Sequence, residues 1–141
     1  MFTGKDVVKI AREYLRTPWV QTGRLKGEKG GVDCIGLIIC VYNELGLNIP
    51  IDEHYSMEDE FKLLLTRVQS RCVLVENSSY QAGDIMLFRG RMMHNHAAIY
   101  TDEKTIIHAY NSEAYMMVVE QPYTASWGMR LFGVYRAKEL A

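Results

Sequence analysis

The run Asp33-Cys34-Ile35-Gly36-Leu37-Ile38-Ile39-Cys40-Val41-Tyr42, closed a turn later by Gly46, decides the fold class. Asp is a strong helix N-cap, because its carboxylate accepts from the unpaired N–H groups of the first turn. Gly is a natural stop, because it enters the left-handed conformation at no steric cost. Between the two stand residues that are apolar or small on nearly every side. A helix of that kind is stable only when it is enclosed. The reading therefore predicts a central buried helix around which the rest of the chain must wrap.

Toward the N-terminus, Thr3-x-x-Asp6 reads as a capping box. Val7, Ile10, Ala11, Tyr14 and Leu15 then recur at helical spacing up to the break at Thr17-Pro18. From Trp19 to Val32 the chain turns to Gly, Lys, Arg and polar residues without periodicity. That stretch is expected to be a long loop, and long loops in small domains tend to carry function. Toward the C-terminus, Ser56-x-x-Asp59 opens a further amphipathic helix through Phe61, Leu64, Leu65 and Val68.

Beyond that helix the apolar period changes from about 3.6 to 2. Short strands are predicted at 72–75, 84–88, 96–100, 105–110, 116–120 and 131–136, most of them separated by Gly, Asn, Asp or Pro. Helices first and strands afterwards is the α+β pattern, with helices packed on an antiparallel sheet of five or six strands. With 141 residues and no repeat, linker or low-complexity tract, the expectation is one domain over 1–141.

A net charge of −1 gives no electrostatic case for a nucleic-acid partner. No segment approaches the uninterrupted apolar length of a membrane span. The opening residues Met1 to Asp6 hold no apolar signal region, so synthesis in the cytoplasm without a signal peptide is expected. Three cysteines, Cys34, Cys40 and Cys72, are odd in number and form no C-x-x-C pair, which argues against a disulfide framework or a zinc ribbon. Nothing in the composition calls for a cofactor or sets an oligomeric state.

The cysteines differ in setting. Cys34 follows the Asp33 cap and so stands at a helix start, where free N–H groups and the helix dipole favour a thiolate. It is expected to be an accessible thiol, with its own backbone N–H available as an oxyanion donor. Cys40, mid-helix, and Cys72, at a strand start, read as small core residues. Gly36, one turn inside, leaves room for a backbone or a substrate to come close.

His94, His96 and His108 fall in the strand region, while His54 is isolated. His96-Ala97-Ala98-Ile99-Tyr100 and Ile106-Ile107-His108-Ala109-Tyr110 flank a hairpin turn at Thr101-Asp102-Glu103-Lys104. An odd loop puts residues of equal parity on one face, and a three-residue loop sets His96 directly opposite His108; an even loop puts the two on opposite faces and breaks the arrangement. Nucleophile, base and a polar group orienting the base is the generalised triad, and Cys34, His96 and His108 supply one of each. Against this stand two other readings: strand histidines satisfied by backbone groups, and a zinc site drawn from His94, His96, His108 and Cys34, for which no metal-ligand spacing is present.

Five segments, taken in order, carry a resemblance. Thr17-Pro18-Trp19, Gly31 to Leu37, Ala82-Gly83-Asp84-Ile85, His96 to Tyr100 and Ile107-His108-Ala109 resemble the motif set of the NlpC/P60 cysteine peptidases. Gln21-Thr22-Gly23-Arg24, His108-Ala109-Tyr110, Val119-Glu120 and Trp127 resemble the phage-encoded branch, the phage cell-wall peptidases. The resemblance implies a papain-like fold and hydrolysis of peptidoglycan peptides that contain D-amino acids, often next to γ-D-glutamyl. It implies Cys34 as nucleophile, His96 as base and His108 as the residue that orients His96, with Trp19, Asp33 and Gly36 toward the substrate. It also implies phage tail components as partners, and carriage on the virion or release on lysis as the route to the wall.

The chain departs from the family pattern at two places. Ile35 stands where many members carry Ser, and Trp19 stands near where many carry Tyr; both changes bear on recognition of the substrate's amine and leave the triad intact. Two rival functions use the same scaffold. An amidase or acyltransferase would keep Cys34 and His96 but hand the acyl group to an amine or lipid; the polar, basic character of residues 21–30 argues for a carboxylate-bearing peptide instead. A tail-assembly or binding protein without activity would be marked by an incomplete triad.

Overall fold

The computed structural model describes residues 1–49, 57–90, 95–112 and 115–140. The Ser56 capping signal, His54 and His94 lie outside them. Helix α1 (Gly4–Glu13) begins with the expected capping box: the Thr3 hydroxyl accepts from the Asp6 amide, and the Asp6 carboxylate accepts from the Thr3 amide. Helix α2 (Cys34–Glu44) is capped by Asp33 and buries every residue from Cys34 to Tyr42. Its end is a Schellman motif. The Gly46 amide donates to the Asn43 carbonyl and the Leu47 amide to the Tyr42 carbonyl, with Gly46 at φ +95°. An L side chain at that φ would be strained, so the stop predicted at Gly46 has a local cause.

The stretch from Trp19 to Val32 is not a bare loop. It holds a small antiparallel hairpin, β1 (Arg24–Leu25) with β2 (Gly31–Val32). Strands of two residues carry too little periodicity to show in the sequence. Helix α3 (Met57–Arg71) follows, burying Phe61, Leu64 and Val68.

The remaining strands, β3 (Cys72–Leu74), β4 (Ile85–Phe88), β5 (His96–Tyr100), β6 (Thr105–Asn111), β7 (Met116–Pro122) and β8 (Leu131–Ala137), form one antiparallel sheet in the order β3-β8-β4-β5-β6-β7. A one-turn helix α4 (Ala125–Gly128) precedes β8, and a 3-10 turn (Lys138–Leu140) ends the described chain. Neither short element was anticipated.

The alternation of the strands divides the sheet into two faces. Ile85, Leu87, Ala97, Ile99, Ile107, Ala109 and Val118 join α1, α2 and α3 in the main core. Met86, Phe88, Ala98, Ile106 and Val134 build a smaller core on the other face, roofed by Tyr80, Tyr123 and Trp127. Two ion pairs fasten the pieces. Arg12 on α1 bonds both oxygens of Glu120 on β7, at 3.0 and 3.1 Å. Arg136 on β8 holds buried Asp84 in the same way, at 2.8 and 2.9 Å. That second pair accounts for the Asp in the Ala82-Gly83-Asp84 motif: it is structural. No helix among the described residues is long and apolar enough to cross a membrane.

Candidate active site

The site is organised by the register of β5 and β6. Ile99 pairs with Ile107 and Tyr100 with Ile106, and the Thr101 amide donates to the Thr105 carbonyl, so residues 102–104 make the turn. The loop is odd, so His96 and His108 share a face. The turn is centred one residue later than supposed, however, so the two histidines are diagonal neighbours rather than directly opposed. Diagonal pairs remain within reach of ring side chains. His96 Nε2 lies 2.6 Å from His108 Nδ1.

The chain of bonds continues to a residue that the sequence reading missed. His108 Nε2 is 2.7 Å from Oε1 of Gln121 on β7. An amide oxygen only accepts, so a neutral His108 carries its proton on Nε2 and accepts at Nδ1. His96 must then donate from Nε2, which leaves its lone pair on Nδ1. One amide thus fixes both tautomers, and the free base of the pair is His96 Nδ1. The only available signal for Gln121 was parity across β6 and β7, which needs the register to be known.

Both rings sit in an aromatic box. His108 is fully buried and stacks on Tyr110 at 4.9 Å, with Trp127 edge-on at 5.2 Å. Phe88 and Trp127 flank His96, at 6.4 and 5.8 Å. Burial and the facing His108 hold the His96 pKa well below the usual imidazole value, and Arg130 adds to the effect. Burial likewise pulls His108 down to about 4, against the bond to Gln121 and with a contribution from Arg130.

Cys34 reaches β5 from the helical side. The backbone amides of Ala97, next to His96 in the chain, of Ile35 and of Cys34 itself favour its thiolate. His96 occupies the first position of β5, at the end row of the sheet with Phe88 and Leu131. The thiol is 2% exposed, so the expectation of an accessible thiol does not hold. Enclosure of α2 on all sides takes its first residue inward with the rest. Burial, then the neighbouring Asp33 charge, push the thiol up to about 12, while the three amides oppose them. Cys40 and Cys72 are buried, as their settings suggested.

The residues assigned toward the substrate have structural work. Asp33 is fully buried and accepts from the Gly36 amide at 2.7 Å, the Thr22 amide at 2.7 Å and Arg24 Nη1 at 3.2 Å. The room left by Gly36 is filled from within. A Cβ there would lie 2.4 Å from the Gly23 carbonyl oxygen and 2.6 Å from Arg24 Nη1. Ile35 is a core residue. Trp19 packs on the core, its amide donating to the Met116 carbonyl at 2.8 Å.

The basic loop is also less free than its composition implied. Lys26 bonds Glu13 at 2.5 Å and Glu44 at 3.3 Å, and Arg24 is engaged with Asp33. These two cations cannot be counted as receptors for a substrate carboxylate. Among the described residues, no three His, Cys, Asp or Glu side chains are grouped to hold a metal ion.

Comparison with known proteins identifies the family. A model described as the NlpC/P60 family matches residues 16–136. A Corynebacterium glutamicum (strain R) protein named "Probable endopeptidase" is 30% identical over 112 residues, which cover 78% of this chain and 44% of that protein. The chain therefore spans less than half the length of that relative. The NlpC/p60 domain of the peptidoglycan hydrolase SagA superposes with a TM-score of 0.63 at 21% identity, over 93% of this chain and 96% of that one. RipD from Mycobacterium tuberculosis, described as a non-catalytic NlpC/p60 domain protein adapted to peptidoglycan binding, gives 0.63 at 16% identity, over 96% of each chain. At such identities the two structures establish the fold alone. With motif order, fold and a match running through residues 16–136 in agreement, the chain belongs to the NlpC/P60 family.

Proposed function

We propose that the chain is a cysteine peptidase that hydrolyses a peptide bond in bacterial peptidoglycan, one flanked by D-amino acids, with Cys34 as nucleophile, His96 as base and His108 as the residue that orients it. The observation that carries the reading is the chain Gln121–His108–His96, which leaves a lone pair on His96 Nδ1. A purely structural pair of histidines gains nothing from having its outer nitrogen unbonded. In the reaction, the Cys34 thiol proton passes to His96 Nδ1 and the sulfur attacks the scissile carbonyl. The oxyanion forms at the start of α2, where the Cys34 backbone N–H can donate. The imidazolium then returns the proton to the leaving amine, and His96 activates water to hydrolyse the thioester.

The test is incubation of purified peptidoglycan fragments with the wild type and with Cys34→Ala, followed by mass analysis. New peptide ends with the wild type only are expected. Unchanged fragments with folded wild type sink the peptidase reading. The rival favoured by a specific observation is a binding domain without activity, because RipD combines this fold with such a role. Retention of fragments without cleavage would select it. The motifs at Gln21 to Arg24 and Val119-Glu120 support placing the chain in the phage-encoded branch, with delivery on a phage tail.

A further inference from the structure

The wall of the histidine box carries a cation that the described residues do not neutralise. Arg130 follows α4, and its Nε donates to the Arg89 carbonyl at 2.8 Å. Its guanidinium lies over Trp127, 4.9 Å from the ring centroid. Trp127 is the same ring that flanks His108 at 5.2 Å and His96 at 5.8 Å. Arg130 is thus held at two points, one hydrogen bond and one stacked face, and its position is fixed relative to the imidazoles.

Its two terminal nitrogens meet no carboxylate among the described residues. Arg12, Arg24 and Arg136, in contrast, each have one. Arg130 is also partly exposed, so a solute can reach it. Its charge is felt across the box, since it disfavours protonation of both histidines. A planar guanidinium with its stem pinned and its outer edge open matches the geometry of a carboxylate. The gap from Arg130 across Trp127 to the imidazoles is within reach of two or three residues of extended peptide, at about 3.3–3.6 Å each.

We propose that Arg130 binds a free carboxylate of the substrate peptide, two or three residues or less from the scissile bond, so that the site distinguishes an acidic stem peptide from its carboxamide. This rests on the peptidoglycan reading and supplies the carboxylate receptor that the paired Lys26 and Arg24 do not.

The experiment uses Cys34→Ala protein, so that binding is read without turnover. Two synthetic probes are titrated by calorimetry: L-Ala-γ-D-Glu-L-Lys with its terminal carboxyl amidated, and the same peptide with the glutamyl α-carboxylate also converted to carboxamide. The acid is expected to bind about 10-fold or more tightly than the amide, the size of one charge-assisted bond. Adding Arg130→Gln should bring the ratio close to one, while Arg130→Lys should retain part of it. Near-UV dichroism confirms that the Trp127 environment survives each change. Binding of both probes without preference, or a preference that survives Arg130→Gln, overturns this inference and leaves the peptidoglycan reading standing. Binding of neither probe overturns both.

Discussion

Lowering the pH from 7 to 5 should destabilise this fold through His108. That residue is fully buried, with Nδ1 taken by His96 and Nε2 by Gln121. A second proton on its ring would have to enter at Nδ1 and face the N–H of His96. Its folded pKa is about 4, against 6.5 for the free group. Below about 6.5 the unfolded chain therefore takes up a proton that the native one refuses, so stability falls as the pH drops and the loss levels off below about 4. Between pH 7 and 5 the loss from this one group is about 2 kcal/mol, and His96, displaced in the same direction, adds to it. Carboxylates contribute little in that window because their unfolded values lie lower. The assay is urea unfolding at pH 7, 6 and 5, where about 2 kcal/mol moves the midpoint by roughly 1 M. His108→Asn should flatten the dependence. Parallel curves for wild type and His108→Asn would refute the argument.

Three further outcomes follow from the same geometry. Gln121→Leu should lower kcat about 10-fold, since both tautomers lose their anchor, whereas Gln121→Glu should retain more activity and move the acid limb of the pH–rate profile upward. Gly36→Ala should cost about 1–3 kcal/mol in urea unfolding, because the new methyl meets the Gly23 backbone rather than a movable side chain. His96→Ala should lower the turnover of peptidoglycan fragments about 100-fold or more, read by mass analysis; an unchanged rate would remove His96 as the base.

Helices α1 and α2 were legible because they begin and end on local chemistry: the Thr3 box, the Asp33 cap, the Gly46 stop. The six main strands were legible from their period of 2. The β1–β2 hairpin and α4 were not, since two- and four-residue elements are set by contacts with distant chain. For the site, the pairing of His96 with His108 could be read from parity, but not the diagonal register, which depends on which residue centres the turn. Gln121 was invisible for the same reason. At Asp33, Gly36 and the basic loop the sequence displays a charge or a gap but not what fills it from within. Lys26, Arg24 and the space over Gly36 are all satisfied by the chain itself.

On the proposed reading, the burial of both reacting groups sets when the proton moves. The thiol is raised from 9.0 to about 12, and the imidazole is held low. Proton transfer requires the two groups to meet, and a thiolate–imidazolium pair at contact is worth about 4 kcal/mol, or roughly 3 pKa units. That is comparable to the thiol's own displacement and leaves the cost of the buried imidazolium uncovered, so the pair rests neutral. Arg130 contributes to that cost, because it disfavours the imidazolium. A substrate carboxylate on Arg130 cancels its field at the histidines. The same contact that seats an acidic peptide then favours proton transfer from Cys34 to His96, and a carboxamide, which leaves the guanidinium uncompensated, loses on both counts.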